Sequence, residues 1–217
     1  MQLRQFNDVE KQVIEAYLDL CFEGGITQVT LQKVAKRAGL AFSSARYYFS
    51  GEGKASVEAS TVQYVLQNAH IFIEINLQNT RATLPFDGLL QYIVVMLNWG
   101  KEFPKHGSFL VYFFYLSSTA LAKFMPISNS DLVATARRRI QSLYYEAVGQ
   151  GLYPSIENVE KLTVQMHAYL FGRMGLYYSS KLKNESDFEE IQKDTYAVWK
   201  MMIEHHRPTG KPVRAEP

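Results

Sequence analysis

Apolar residues recur along this chain at spacings of three and four, the signature of a single helix face. Over residues 8 to 23 the set is Val9, Val13, Ala16, Tyr17, Leu20 and Cys21. Gly24 and Gly25 follow, as glycines do just past a helix end. Thr30 then stands as a cap for a second helix whose buried side is Leu31, Val34, Ala35 and Ala38. Gly39 interrupts that helix, Leu40 packs the turn, and a third, short helix is predicted from about residue 42 to 48. Two helices joined by a tight turn containing glycine describe a helix-turn-helix.

The helical period resumes at Lys54 and runs to about residue 80. A second segment covers about 86 to 103, and a third follows a break at Pro104 and Gly107, to about 124. "MPISNSD" reads as a turn and cap before a helix from 131 to about 150, with Leu132, Ala136, Ile140, Leu143 and Ala147 on its apolar side. Two long helices, about 156 to 182 and 187 to 206, close the pattern, with Ser186 and Glu189 at the spacing of a capping box. The tail from 207 to 217 holds three prolines and no apolar period, and is predicted to be disordered. No strand alternation of useful length and no internal repeat is present, so the expected fold class is all-α.

The chain has 217 residues, room for one large domain or for a small domain joined to a larger one. With 47% hydrophobic and 20% charged residues it reads as globular. The net charge of +2 says little about partners, but its distribution does. Residues 1 to 30 carry two basic against five acidic side chains, a balance of −3; residues 31 to 54 carry five against one, a balance of +4. A local basic segment in a nearly neutral chain is the footprint of a phosphate-facing surface. The one cysteine, Cys21, excludes an intrachain disulfide and a cysteine-based zinc cluster, and in "YLDLCF" it reads as buried filler. His205 and His206 are adjacent, so they point to different sides of a helix, and no carboxylate cluster joins them; no metal or cofactor is expected. The N-terminus is too polar for a signal peptide. The longest uncharged run, around residues 107 to 122, is shorter than the roughly 20 residues that span a bilayer. A cytoplasmic protein without a membrane partner is therefore expected.

The third short helix carries the chemistry of a DNA reader. Ser43, Ser44 and Ala45 are short enough to let a helix approach a major groove, and the two hydroxyls can bond a phosphate or a base edge. Arg46 can reach a guanine or a phosphate, Tyr47 and Tyr48 offer hydroxyls to the backbone, and Lys54 begins the next helix, where a phosphate is favoured. Phe42 either touches a thymine methyl or packs inward. "GEGKAS" resembles part of a phosphate-binding loop, but its first glycine would fall at Tyr48 and no strand precedes it. The run Arg137, Arg138, Arg139 reads as a solvated face, of which a bound anion could use one member.

The segment "GGITQVTLQKVAKRAGLAFSSARYYFSGEGK", residues 24 to 54, resembles the N-terminal domain of TetR-type (TetR/AcrR) transcriptional regulators. The matching positions are Phe22 and Gly25, Thr30 at the start of the second helix, Ala35, Ala38, Gly39 and Leu40 in the turn, Tyr48 and Phe49 at the end of the reader, and Lys54. The resemblance covers about the first 55 residues. It departs from the family at Ser43 and Ser44, where glycine and threonine are usual, at Arg46, where tyrosine is usual, and at Lys54, which follows Phe49 by five residues rather than three or four.

The resemblance implies a DNA-binding domain over 1–54 and a helical effector-binding and dimerisation domain over 55–206. It implies double-stranded DNA with a palindromic operator, a small-molecule effector and a homodimer as partners. DNA contacts are then expected from Thr30, Lys33, Phe42, Ser43, Ser44, Arg46, Tyr47, Tyr48 and Lys54. Aromatics are dense on the later helices, which by itself reads as core packing; the resemblance implies an effector site among them, expected at Trp99, Phe103, Tyr112, Phe113, Tyr115, Tyr169 and Phe171. The two apolar stripes of 156–182 and the apolar set of the last helix place a dimer interface at Leu162, Met166, Leu170, Tyr177, Ile191, Val198, Trp199 and Met202. A helical binding protein with a degenerate head that does not read DNA is the alternative. No nucleophile, base and oxyanion site assemble at a plausible spacing, so an enzyme is not expected.

Overall fold

The computed structural model describes residues 3–48, 54–81, 88–115, 127–179 and 185–206. Among them the backbone is helical: α1 Asp8–Gly24, a 3-10 turn Ile26–Gln28, α2 Leu31–Arg37, α3 Phe42–Tyr48, α4 Lys54–Arg81, α5 Gly88–Glu102, α6 Pro104–Tyr115, α7 Ile127–Gly149, α8 Val159–Ser179 and α9 Glu185–His205. No strand occurs among the described residues.

Local sequence explains where the first helices start and stop. Asn7 caps α1 by accepting from the Glu10 amide at 2.9 Å, while the Glu10 carboxylate accepts from the Asn7 amide at 2.9 Å. This reciprocal pair satisfies two amides that the first turn leaves open. Gly25, at φ +79°, ends the helix and donates to the Cys21 carbonyl at 2.9 Å. Thr30 caps α2, its hydroxyl accepting from the Lys33 amide at 3.3 Å. Gly39, at φ +66°, takes the left-handed turn between α2 and α3 that a side chain would strain.

The boundaries shift where longer contacts act. Proline is at home in the first turn of a helix, and α6 begins on Pro104 and runs through Gly107 without a break. The segment read as a turn, 125 to 131, is helical from Ile127 onward. α9 starts at Glu185, which puts Ser186 inside its first turn rather than at the cap. The tail 207–217 and the first three residues of "GEGKAS" lie outside the described residues.

The core sits where α4, α5, α6 and α8 meet, with Trp99, Tyr92, Leu77, Ile93, Leu110 and Leu170 fully buried. The pair α2–α3 packs on α1, and α1 in turn packs along α4 and α6. Tyr17 joins these layers: its hydroxyl donates to Glu58 of α4 at 2.8 Å and its ring meets Phe109 of α6 edge-on at 6.0 Å. α8 and α9 form an antiparallel pair, tied by Arg173 to Asp194 at 2.9 Å and by the Trp199 indole to the Met166 carbonyl at 3.0 Å.

Candidate nucleic-acid interface and internal cavity

Ala45 is completely buried and anchors α3 on the inner side of the head. The helix period then turns Phe42, Ser43, Arg46 and Tyr47 to the outside, with Ser44 at the margin. Phe42 is 48% and Tyr47 82% exposed on this outer face. Thr30, Lys33 and Lys36 are exposed on α2 and its cap. The side chain of Tyr48 lies outside the described residues.

The cations of the head divide into two groups. Arg37 is committed to the protein: it forms a bidentate pair with Glu23 at 2.7 and 2.8 Å and lies 3.8 Å from Asp19. Glu23 and Arg37 stabilise each other's charged form through that hydrogen-bonded pair. Lys33 donates to the Gln28 carbonyl at 2.9 Å. Lys54 corrects an expectation. Its ammonium is half-buried, donates to the Ile26 carbonyl at 2.9 Å and pairs with Glu58 at 3.4 Å. It ties the start of α4 to the 3-10 turn after α1, sharing the Ile26 carbonyl with the Val29 amide, so its ammonium already holds partners inside the protein. Arg46 is exposed and makes no hydrogen bond or ion pair among the described residues.

Behind the head lies a partly open cavity of about 40 Å³ bounded by α4, α5, α6, α7 and α8. Leu66, Ile73, Met96 and Leu110 give it an aliphatic wall; Glu74 and Arg139 stand at its half-exposed rim, 3.5 Å apart. Tyr92 and His167 are buried beside it. Burial, helped by the charge of Arg137, lowers the His167 pKa to about 4, so this imidazole is neutral near pH 7. A second cleft of about 200 Å³ lies at the junction of head and body, between the 3-10 turn, α4 and α6.

Of the seven aromatic residues expected at an effector site, Phe171 alone borders the internal cavity. Tyr112 and Phe113 line the junction cleft. Trp99 is fully buried as a core residue, its indole donating to Asn68 at 2.7 Å. Phe103 stacks on His106 at 5.5 Å and meets Phe72 edge-on, filling the corner between α4 and α6. Tyr169 packs half-buried against the core, and the Tyr115 side chain lies outside the described residues. Aromatic density pointed to packing, whereas the cavity is aliphatic with ionisable groups. The signal was available on α4, where His70 and Glu74, four apart, flank the apolar stripe Leu66, Ala69, Ile73.

The expected interface residues also need correction. Leu162, Met166 and Leu170 are 0% exposed, and Trp199 and Ile191 are buried, all within one protomer. Tyr177, Val198 and Met202 are half-buried, with Tyr177 edge-on to Phe188 at 6.1 Å. The stripe chosen from the sequence faces the core because the neighbouring helices of the same chain cover it. The opposite stripe is the outer one: Val164 at 38%, Leu176 at 61% and, on α9, Met201 at 62%, with Ala168 and Ala197 exposed between them. The arginine run is corrected likewise, since Arg138 alone of the three is exposed.

Cys21 is half-buried and burial pushes its thiol up to about 11, which leaves it unreactive. Among the described residues no group of His, Cys, Asp and Glu is placed to hold a metal, and no helix is long and apolar enough to cross a membrane.

No protein-family model matches the chain, and no curated protein matches it in sequence. Solved structures do. The fatty acid degradation regulator FadR from Bacillus halodurans superposes with a TM-score of 0.66 at 15% identity, over 92% of this chain and 97% of that one. A TetR transcription regulator from Haloarcula marismortui gives 0.66 at 17% identity, over 91% and 100%. The TetR family transcriptional regulator PfmR from Thermus thermophilus gives 0.61 at 13%, over 88% and 97%. The chain is similar to these regulators in fold over about nine-tenths of its length.

Proposed function

We propose that this chain, which shares the fold of TetR-family transcriptional regulators, is a sequence-specific DNA-binding repressor that acts as a homodimer on a palindromic operator and is released by a small effector. Residues 1–54 are its reading head and 55–206 its effector-binding and dimerising body. The observation that carries the reading is the outer face of α2–α3. It holds Thr30, Lys33, Phe42, Ser43, Arg46 and Tyr47 together on a helix-turn-helix, with Ser44 at its edge.

Contacts between the cavity and the head support a route from effector to DNA. α4 walls the cavity and, through Glu58, holds Tyr17 of α1. α6 contributes Leu110 to the cavity and Lys105 to Asp19 of α1, and Asp19 lies 3.8 Å from Arg37 at the end of α2. An effector that binds better to a form with wrongly spaced readers weakens DNA binding by the same coupling free energy. Two half-sites lie about one helical turn apart, ~34 Å, so small rotations of each head suffice.

The dimer in this reading closes over the outer stripe of the last helix pair: Val164, Ala168 and Leu176 on α8 with Ala197 and Met201 on α9. Gly172 and Gly175 in the same stretch of α8 permit close approach of a facing helix.

Selection of bound sequences from a random duplex pool tests the proposal. A palindromic consensus, with binding that weakens steeply as salt rises, is the expected outcome. The internal engagement of Lys33 and Lys54 favours one second reading, a head that has lost DNA recognition. An absence of enrichment at low salt would establish that reading and overturn the first.

A further inference from the structure

Two members of the arginine run turn inward. Arg138 is exposed and spends its donors on its own helix, at the Ala134 carbonyl and the Thr135 hydroxyl. Arg139 points to α4: its Nε is buried, lies 3.5 Å from Glu74 Oε1, and has no hydrogen-bond acceptor. Arg137 also buries its Nε without an acceptor, close enough to His167 to disfavour imidazolium.

In the wall of the cavity Tyr92 is 1% exposed, and its hydroxyl has no hydrogen-bond partner among the described residues. Its ring is held by stacking on Trp199 at 6.5 Å, and Glu74 and Arg139 both act electrostatically on its hydroxyl. Two donors without an acceptor, Tyr92 Oη–H and Arg139 Nε–H, thus belong to residues that line one cavity, beside an aliphatic stretch of its wall. Buried polar groups are almost always hydrogen-bonded, so the unmet need is for an acceptor. The charges of Arg139 and Glu74, both in the lining, cancel and His167 is neutral, so the two open donors, rather than a net charge, set the preference for an acceptor.

We propose that this cavity binds a compact apolar monocarboxylate, its carboxylate between Tyr92 Oη and the Arg139 guanidinium and its tail along Leu66, Ile73, Met96 and Leu110. The proposal rests on the effector reading of the cavity and names the ligand class. The inner space of about 40 Å³ would admit roughly three waters, so it takes a carboxylate and little more, and the tail lies along the open side of the cleft. The carboxylate takes over part of the ion pair that Arg139 makes with Glu74.

Calorimetric titration of the full chain with hexanoate, hexan-1-ol and hexylamine tests this. Hexanoate is expected to bind about tenfold or more tighter than the alcohol, as charge-assisted hydrogen bonds require, and the amine least. Tyr92→Phe should weaken hexanoate by about tenfold and leave hexan-1-ol unchanged. That variant removes a hydroxyl unpaired in the free chain, so its melting temperature should not fall. Glu74→Gln removes the competitor for Arg139 and should tighten hexanoate, a gain that misfolding cannot produce. Failure of hexanoate to bind, equal binding of the alcohol or amine, or unchanged affinity in Tyr92→Phe would overturn the proposal. DNA affinity measured in the same samples separates it from the effector reading. Hexanoate binding without a change in DNA affinity supports the ligand class and removes the effector role. Release of DNA by hexan-1-ol with hexanoate inert does the reverse.

Discussion

Arg46, like Lys36 on α2, differs from the other cations around it. Arg37, Lys33 and Lys54 each hold an acceptor inside the protein, at Glu23, the Gln28 carbonyl and the Ile26 carbonyl. Arg46 holds none among the described residues and stands exposed on α3. If it meets a phosphate, Arg46→Ala should reduce the slope of log K against log salt by about one and leave the far-ultraviolet circular dichroism unchanged. If it reads a guanine, the loss should fall on one operator position instead. His167 carries a different consequence. Its pKa falls from an ordinary 6.5 to about 4 because burial disfavours the charged ring, with Arg137 adding to the effect. The unfolded chain therefore binds this proton first as pH drops. Stability from this residue is intact above about pH 6.5 and declines between there and pH 4, by about 3 kcal/mol in all. Urea titrations across that range should show the decline, and His167→Gln should flatten it.

At the level of helices, the junction of α5, α6 and α8 is built around one tyrosine. Tyr178 donates to the Gly100 carbonyl at 2.6 Å, and its ring occupies the space that side chains at Gly100 and Gly107 would fill. A Cβ at Gly100 would strike the Tyr178 hydroxyl, with its Cζ still at 3.6 Å. A Cβ at Gly107 would strike the hydroxyl and meet Cζ at 2.7 Å. Both alanine variants should lose about 1–3 kcal/mol, the usual cost of overpacking. Adding Tyr178→Phe should restore much of the loss for Gly100→Ala, where the hydroxyl is the obstacle. It should do little for Gly107→Ala, where the ring is. Thermal denaturation of the two double variants separates these outcomes.

For the whole molecule, the open question is what covers the outer side of the α8–α9 pair. Val164, Leu176 and Met201 leave large apolar side chains at the surface, on helices whose inner sides are filled by their own chain. A second copy is the occupant that fits the proposed function. Leu176→Glu combined with Met201→Glu should convert a dimer to a monomer in sedimentation at micromolar concentration. The fold should survive, because neither residue belongs to the core. The monomeric variant should also lose affinity for a palindrome by orders of magnitude while keeping weak binding to a half-site. A wild-type monomer at that concentration would remove the dimer from the proposal.

The sequence alone determined what depends on neighbours a few residues away. Helical periodicity, the Thr30 cap, the Gly25 stop and the Gly39 turn are local, and the first three helices formed where their spacing placed them. The outward set on α3 was equally legible, because burying Ala45 fixes the direction of Phe42, Ser43 and Arg46. Tertiary structure decided which stripe of a helix meets which partner. α8 is apolar on two sides, and periodicity cannot say that its own chain covers Leu162, Met166 and Leu170 while Val164 and Leu176 stay outside. Charge pairing is as distant: Asp19 finds Lys105 across 86 residues, and Arg139 finds Glu74 on another helix. A run of three arginines looks solvated in one dimension because successive residues on a helix point about 100° apart, and packing alone determines which of those directions is the interior.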